Sequence, residues 1–490
     1  MVMPRRLYTA EQVRSGEKLA AKANELRMYY LMERAGQAVF AIGMAQYPGT
    51  EHWLVCCGSG NNGGDGYIVA NLAKSVGIHV TVWQLGEPKK LTGDAQIAYE
   101  HWVQGGGQVE SPNSLIPDTV DVVIDGILGT GLTGDVRENA AVIINLINDS
   151  RLPVIAIDIP SGLSSDTGVV LGTAIRAEHT VTFIGAKQGL VTGQARDYVG
   201  QLHFAGLGVE ETFDALHIPS AWVLDNNSLK TELGKRAQSS HKGSHGKGVI
   251  IGGGAGMAGA SVLASTAALK SGIGMIATIS HPNNVMPIIV SQPEVMASGW
   301  NENDVIANRL DWCNVVAIGP GLGRDSQAQI LYNRVSDTEL PKVVDADGLY
   351  FLASQPTYDA QRVITPHPGE AAKLLGCSVA DVERDRYQAV EDLQHKFGGV
   401  VVLKGAGTLI CDGEQTFVCC AGNPGMATAG MGDVLTGVVT AFIAQGHNLL
   451  EATKLGVLAH SLAADQNAKT YGERGLVASD LFPHIRSLVN

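Results

Sequence analysis

The sequence predicts an α/β protein made of two domains. Short apolar runs rich in β-branched residues alternate with helical stretches along most of the chain, which is typical of parallel strands joined by crossover helices. At 490 residues, the chain is also too long for one hydrophobic core, because a single core rarely serves more than about 300 residues. We therefore expect two separate parallel sheets, each packed against helices.

The first half is predicted to start with helix and to continue as a strand series. Residues 10–46 have helical periodicity, since Leu31, Met32, Ala35, Val39 and Phe40 recur at the spacing of one helix face. The predicted strands cover residues 53–57, 79–83, 120–124, 154–157 and 179–184.

The alternation stops over residues 206–240, and a small polar stretch at 238–247 follows. We place the domain boundary there, which gives domains 1–222 and 223–490. In the second domain the predicted strands cover residues 248–251, 275–279, 315–318, 342–344, 363–364 and 400–403, and helical segments cover 261–270, 436–445 and 455–465.

Composition excludes several classes of protein. The chain has 35 Lys and Arg against 48 Asp and Glu, a net charge of −13, which disfavours binding to nucleic acid. Its seven cysteines form no Cys-x-x-Cys pair, so we expect neither a disulfide framework nor a zinc site. Neither a secretory leader nor an apolar run long enough to span a membrane is evident, and we expect a cytoplasmic protein.

A polar glycine-rich loop follows the first predicted strand. Its sequence, Gly58-Ser-Gly-Asn-Asn-Gly63, formally matches the dinucleotide-binding fingerprint. The second strand ends at Gln84 without the acid that would hold a ribose, which disfavours an ordinary nicotinamide-dependent dehydrogenase. The loop carries Asn61, Asn62 and Asp65, more polar side chains than a structural turn needs, so we interpret it as a binding loop.

Two later strands also end in polar residues, with Asp125 after one and Asp158 and Ser161 after the next. The carboxyl ends of parallel strands share one edge, where ligands bind, although either aspartate alone could equally cap a helix. These oxygen ligands with few carboxylates suit a monovalent cation. Asp158 is a candidate acid or base, and burial beside Ile155 and Ile157 would raise its pKa.

In the second half, the sequence Asn423-Pro-Gly-Met-Ala-Thr-Ala-Gly-Met-Gly-Asp433 leads into a predicted helix. Small residues at a helix start leave amide groups free to hold an anion, and the helix dipole favours the bound charge. Asp433 would lie beside that anion hole as a base, although it could also serve only as a helix cap. Further Gly-rich or polar turns follow the strands at residues 252–260, 318–323, 344–348, 365–370 and 404–408.

Four motifs in the first half together resemble the NAD(P)H-hydrate epimerase family over residues 10–215: Leu31-Met-Glu-Arg-Ala-Gly36, Gly60-Asn-Asn-Gly-Gly-Asp-Gly66, Asp125-Gly-Ile-Leu-Gly-Thr-Gly131 and Asp158-Ile-Pro-Ser-Gly162. The resemblance implies a Rossmann-like three-layer fold and interconversion of the R and S hydrates of NADH and NADPH (NADHX and NADPHX) at C6 of the nicotinamide ring. It implies potassium binding by Asn62, Asp125 and Ser161. The hydrate contacts that it implies are Asn61, Asn62, Gly63, Gly64, Asp65, Gly129, Thr130, Gly131, Leu132, Thr133, Gly134, Asp135 and Asp158, of which Asp158 is the candidate catalytic residue.

Gly430-Met-Gly-Asp433 resembles the ribokinase-like superfamily, in which this motif supplies an anion hole and a catalytic base. Together with Thr365-Pro-His-Pro-Gly-Glu370 and Lys404-Gly-Ala-Gly-Thr408, it resembles the ADP-dependent NAD(P)H-hydrate dehydratase family over about residues 225–488. The resemblance implies a ribokinase-like α/β domain that converts ADP to AMP and phosphate while it dehydrates the S form, with Mg²⁺ on the nucleotide. The implied ADP contacts are Lys404, Gly405, Ala406, Gly407, Thr408, Asn423 and Gly432; the implied hydrate contacts are Ala260, Gly321, Gly323, His367 and Asp433, the second catalytic candidate.

Two alternatives remain beside this interpretation. The chain could be a ribokinase-like small-molecule kinase with a non-catalytic N-terminal binding module, and it would then release a stable phosphorylated product. The N-terminal half could also be an interaction scaffold of the kind found in RNA metabolism, which the intact binding loop, Asp158 and the acidic charge disfavour. We expect a homo-oligomer that uses K⁺, Mg²⁺ and ADP, binds NADHX and NADPHX, and has neither nucleic acid nor membrane as a partner.

Overall fold

The structure is a computed structural model that describes residues 4–490. The chain divides into two compact units, Met1–Trp222 and Val223–Asn490. Both units are α/β, as the sequence predicts. Within the described chain, none of the helices combines the length and the apolar character that a membrane crossing requires.

The first unit is built on a six-stranded parallel sheet. The strands of the unit are β1 (Arg6–Tyr8), β2 (His52–Cys57), β3 (His79–Gln84), β4 (Val122–Gly126), β5 (Val154–Ile157), β6 (His179–Phe183), β7 (Ala186–Lys187), β8 (Gln201–Ala205) and β9 (Ala221–Val223). The sheet order is β3-β2-β4-β5-β6-β8. The short strand β1 pairs in parallel with β7 and antiparallel with β9.

The helices of this unit are α1 (Ala10–Ala23), α2 (Met28–Gln46), α3 (Asn61–Ser75), α4 (Gly93–Gln104), α5 (Glu138–Ser150) and α6 (Glu210–Leu216). The predicted helix over 10–46 is therefore two helices, separated where Glu25 adopts a positive φ of 56°. Leu31, Met32 and Val39 of α2 are buried on one face, as their spacing predicts. The strand predicted over 120–124 was misplaced, since β4 starts at Val122 and extends to Gly126.

The second unit has nine strands in the order β12-β11-β10-β13-β14-β15-β16-β17-β18. In this order, the seven strands from β12 through β16 pair in parallel. β17 then pairs antiparallel with both β16 and β18. Their bounds are β10 (Lys247–Ile251), β11 (Met275–Ser280), β12 (Met296–Gly299), β13 (Val315–Ile318), β14 (Lys342–Val344), β15 (Arg362–Ile364), β16 (Val400–Leu403), β17 (Thr408–Cys411) and β18 (Thr416–Cys419).

The helices of the second unit are α7 (Ser228–Glu232), α8 (Ala258–Lys270), α9 (Val285–Ser291), α10 (Val305–Trp312), α11 (Ser326–Ser336), α12 (Asp347–Ser354), α13 (Pro368–Leu375), α14 (Val379–Arg384), α15 (Arg386–Phe397), α16 (Met431–Ala444), α17 (Leu449–Tyr471) and α18 (Leu481–Leu488). Helix α16 packs closely against α8: the gap between them is so narrow that a Cβ on Gly437 would overlap the carbonyl oxygen of Ala264. The helix predicted over 436–445 starts earlier, at Met431, so Asp433 lies inside its first turn.

Candidate active sites

A cleft of about 700 Å³ opens at the carboxyl edge of the parallel sheet in the first unit. The predicted hydrate-binding residues that line it are Asn61, Asn62, Asp65, Gly129, Thr130, Gly131, Leu132, Thr133, Asp135 and Asp158. The loop after β2, the loop after β4 and the end of β5 thus contribute to one cavity, as the parallel topology requires.

Three predicted hydrate-binding glycines, Gly63, Gly64 and Gly134, are not among the residues that line this cleft. A Cβ on Gly63 would overlap the carbonyl oxygen of Gly58, and one on Gly64 would lie 2.6 Å from Met32 Cε. Close packing against the loop at Gly63, and against Met32 of α2 at Gly64, therefore explains the residue type at both positions without a ligand.

The three predicted potassium ligands cluster beneath the cleft floor. Ser161 donates through its hydroxyl to Asp125 Oδ1 at 2.5 Å and through its amide to Oδ2 at 2.8 Å. Leu128 links the cluster, because its amide donates to Ser161 Oγ at 2.8 Å and its carbonyl accepts from the Asn62 side chain at 2.9 Å.

Asp125 is completely buried. Burial raises its pKa to about 6, and the hydrogen bonds from Ser161 and Ile127 oppose that rise. Among residues 4–490, no cationic side chain stabilises the negative charge of Asp125. A buried carboxylate beside hydroxyl, amide and carbonyl oxygens fits a hard monovalent cation, which would supply the missing positive charge.

Asp158 follows β5 with a φ of 63°, in the left-handed region. Its carboxylate forms an ion pair with Lys187 and accepts hydrogen bonds from Thr182 Oγ1 at 3.1 Å and the Phe183 amide at 3.2 Å. The sequence analysis considered burial of Asp158 beside Ile155 and Ile157, and the structure gives it a charged partner instead of a purely apolar surrounding. Its side chain is 16% exposed to the cleft and its charge is compensated by Lys187, which is buried.

Two further carboxyl groups line the same cleft. Asp65 is buried, and burial first, then the charges of Asp158 and Glu17, raise its pKa well above the ordinary value, against the opposing effect of Lys187. Burial also raises the pKa of Glu17 on α1. The sequence analysis did not identify Lys187 or Glu17; the lysine in the otherwise apolar stretch around β7 was the one local signal for it.

In the second unit, Asp433 lies in the first turn of α16, after the N-cap residue Gly430, whose φ is 88°. Burial raises the pKa of Asp433 to about 6; the charge of Asp345 adds to the rise and that of Lys404 opposes it. The carboxyl group of Asp433 thus lies at the amide-rich end of a helix, beside a lysine.

Asp345, which is buried, and Lys404, which is partly exposed, form an ion pair next to this helix start. Asp345 accepts from Lys404 Nζ at 2.9 Å and from Thr436 Oγ1 at 3.0 Å. A Cβ on Gly432 would lie 3.2 Å from Asp345 Oδ2 and 3.4 Å from Lys404 Nζ. Burial acts to raise the pKa of Asp345, but Lys404, Thr365 and Thr436 outweigh it and hold that pKa below its ordinary value.

The loop that contains His367 lies next to Lys404. The amide of Lys404 donates to the carbonyl of Pro366 at 2.9 Å, and Lys404 Nζ lies 3.8 Å from Glu370 Oε2. Glu370 in turn accepts from the His367 amide at 2.8 Å. Lys404, His367, Gly432 and Asp433 are therefore brought together, through Asp345 and Glu370, which the sequence analysis did not single out.

Ala260 and Gly321 also lie together, since a Cβ on Gly321 would lie 2.9 Å from that of Ala260. Leu263, one turn after Ala260 in α8, packs against Gly430 at the start of α16. This places the two residues near the α16 start through helix packing.

Three of the other predicted contacts are held by local partners. Gly323 donates to Asp347 at 2.9 Å, Asn423 donates to Asp465 at 2.9 Å, and Thr408 donates to the carbonyl of Gly405 at 3.0 Å. Of the predicted ADP contacts, the structure thus groups Lys404 and Gly432.

Comparison with known proteins assigns the chain to a family. Residues 248–487 match the family model described as NAD(P)H-hydrate dehydratase, and residues 28–189 match the model described as YjeF-related protein N-terminus. A bifunctional NAD(P)H-hydrate repair enzyme Nnr of Vibrio cholerae is 54% identical over 490 residues, which cover 100% of this chain and 99% of that protein. The chain belongs to the bifunctional NAD(P)H-hydrate repair enzymes.

Other members of this repair-enzyme family match along the whole chain as well. The Escherichia coli K12 enzyme of the same name is 43% identical over 100% of this chain and 95% of its own. A solved structure of a ribokinase-like superfamily protein from Enterococcus faecalis V583 has a TM-score of 0.53 and 28% identity, and covers 56% of this chain and 96% of its own. The predicted family and the ribokinase-like fold are thereby confirmed, and the alternative of a plain kinase with an accessory module loses support.

Proposed function

We propose that this repair enzyme restores hydrated NADH and NADPH in two steps, one in each unit. The first unit interconverts the R and S hydrates, and the second unit dehydrates the S form while ADP is converted to AMP and phosphate. The observation that carries the proposal is the placement of Asp433 in the first turn of α16, beside the ammonium group of Lys404. That arrangement combines a base with a phosphate-binding helix start.

In the second unit, ionised Asp433 accepts the proton of the C6 hydroxyl as its oxygen attacks the terminal phosphorus of ADP. The new oxygen–phosphorus bond replaces the bond to AMP, which leaves. The phosphorylated hydrate then loses inorganic phosphate from C6 and a proton from C5, and the ring double bond is restored. Lys404 and the free amides at the α16 start stabilise the transferred phosphoryl group.

The residues proposed to bind the nucleotide are Lys404, Gly405, Ala406, Gly407, Thr408, Asn423 and Gly432, and those proposed to bind the S hydrate are Ala260, Gly321, Gly323, His367 and Asp433. Magnesium would neutralise phosphate charge and is proposed to enter on the nucleotide.

In the first unit, the cleft is proposed to bind both hydrate epimers, with Asp158 as a catalytic residue. Potassium bound at Asn62, Asp125 and Ser161 would neutralise the buried carboxylate. The cluster reaches the cleft loop through Leu128, so the same residues order residues 129–135 around the hydrate. A homo-oligomeric state and a cytoplasmic location stay predictions.

The test is to mix the protein with racemic hydrate, ADP, Mg²⁺ and K⁺ and to follow the near-ultraviolet absorbance of the reduced nicotinamide. Full recovery with equivalent release of AMP and phosphate supports both activities. Recovery that stops at the S fraction contradicts the epimerase assignment. Accumulation of a stable phosphorylated product would instead support the kinase alternative.

A further inference from the structure

Three of the carboxyl groups that line the cleft of the first unit interact electrostatically with one buried lysine. Glu17, Asp65, Asp158 and Lys187 all line this cavity. The charges of Asp158 and Glu17 raise the pKa of Asp65, and the charge of Lys187 lowers it. The single ammonium group of Lys187 cannot neutralise three carboxylates in a partly enclosed cleft. Ionising all three carboxyl groups at once therefore costs free energy.

The structure provides hydrogen-bond donors to only one of the two aspartates. Asp158 accepts from Lys187, Thr182 and the Phe183 amide. Asp65 is 8% exposed. No hydrogen bond or ion pair reaches its side chain from any residue between 4 and 490. Asp65 therefore has no donor to stabilise an anion, and little of the residue is exposed to the water of the cleft.

We propose that Asp65 is the proton donor of the epimerase reaction, while Asp158, paired with Lys187, acts as its base. The inference rests on the proposed function of the first unit and divides the two carboxyl groups into an acid and a base. Environments that differ in this way are how paired carboxyl groups acquire opposite roles.

The chemistry follows from the structure of the substrate, in which the ring nitrogen N1 is attached to the carbon C6 that bears the hydroxyl. Asp65 gives its proton to the hydroxyl, the C6–oxygen bond breaks, and water leaves as the N1 lone pair forms a C6=N1 double bond. The Asp158 carboxylate stabilises the resulting cation. A water molecule then bonds to C6 from the opposite face and gives its proton to Asp158. The proton returns to Asp65 through solvent in the cleft, so nothing is consumed.

The other titratable and charged groups near Asp65 are weaker candidates for the proton donor. Cys57 on β2 lies behind it, and burial raises the pKa of that thiol, which stays neutral. Arg14 on α1 lines the cleft and pairs with Glu11 at 3.2 Å. Asp94, Asp135 and Arg137 also line the cleft but do not act on the charge of Asp65. Glu17, a second unpaired carboxyl group with a raised pKa, is the competing candidate.

The experiment uses the full chain without ADP, so that only epimerisation changes the ratio of the hydrates. Purified S hydrate is converted with K⁺ present, the R form is measured by chromatography, and the uncatalysed rate is subtracted across a pH series. Because an acid works only while protonated, wild-type kcat/KM should fall as pH rises through the raised pKa of Asp65. Asp65→Asn should lower kcat/KM at least about 100-fold and abolish this alkaline limb.

Three companion variants make the assignment testable. Asp65→Glu, which retains an acid, should restore part of the rate together with the limb. Glu17→Gln should keep the limb, displaced to lower pH because a negative charge near Asp65 is removed. Asp158→Asn should slow the reaction and also move the limb to lower pH. Thermal unfolding of each variant shows whether it is folded.

The assignment is overturned if folded Asp65→Asn keeps the wild-type rate and limb, or if Glu17→Gln abolishes the limb. A wild-type protein that interconverts the hydrates no faster than the uncatalysed reaction refutes the epimerase function itself. That result is distinct from failure of the assignment, which requires an active wild type.

Discussion

The position of Lys404 depends on Asp345, a carboxylate buried beneath the first turn of α16. Replacing Asp345 with the isosteric Asn removes the charge that holds the ammonium group and leaves the hydrogen bond to Thr436 possible. We expect Asp345→Asn to slow ADP-dependent dehydration of the S hydrate about 100-fold, the cost of a small misplacement at a reaction centre. Measured with saturating ADP, the loss should appear in kcat, and epimerisation should be unchanged. A loss confined to KM would contradict a role in positioning.

The pH dependence of dehydration follows from the pKa of Asp433. A base must be ionised, and burial raises the pKa of Asp433 to about 6. As pH falls through that value, kcat/KM for the S hydrate should drop, by about tenfold per pH unit at the limit. Asp345→Asn should move this limb to lower pH, since the charge of Asp345 raises that pKa. A rate that is flat from neutral to acidic pH would exclude Asp433 as the base.

The sequence could predict candidate reactive residues but not their partners. Asp158 and Asp433 stand out because each follows a recognisable strand end or glycine motif. Lys187 and Asp345 pair with groups 29 and 59 residues away in the chain, and only the fold brings such pairs together. For the same reason, the sequence analysis considered only the apolar neighbours of Asp158, whereas the structure compensates its charge.

At the scale of elements, the contact between α8 and α16 depends on one glycine. A Cβ on Gly437 would overlap the carbonyl oxygen of Ala264, so Gly437→Ala must push the two helices apart. We expect a loss of about 1–3 kcal/mol in the free energy of unfolding of the second unit, measured by denaturant titration. The control is Gly259→Ala in α8, where no atom lies within 4 Å of the added Cβ; it should cost nothing, because alanine favours helix. Equal stability of the two variants would contradict this account.

Strands with a continuous or nearly continuous apolar run were predictable from the sequence, including the three-residue β14 and β15, whereas strands without such a run were not. β2 and β13 are completely buried, and a continuous apolar run marks each. β8 is an edge strand with exposed and half-buried positions, and β1, β7 and β9 are two or three residues long, too short for any periodicity. The hairpin of β17 and β18 was missed because the sequence analysis followed parallel crossover units, and this pair is antiparallel.

At the scale of the whole molecule, each unit contains its own proposed catalytic carboxylate, Asp158 in the first and Asp433 in the second. We therefore expect the two activities to be separable by single substitutions in the full chain. Asp433→Asn should abolish ADP-dependent clearance of the S hydrate while R and S still interconvert. Asp158→Ala should clear the S hydrate and leave the R form, apart from slow uncatalysed epimerisation. Both are measured on racemic hydrate by absorbance and by chromatography of the epimers. If either variant, shown to be folded by thermal unfolding, lost both activities, the two sites would not be independent.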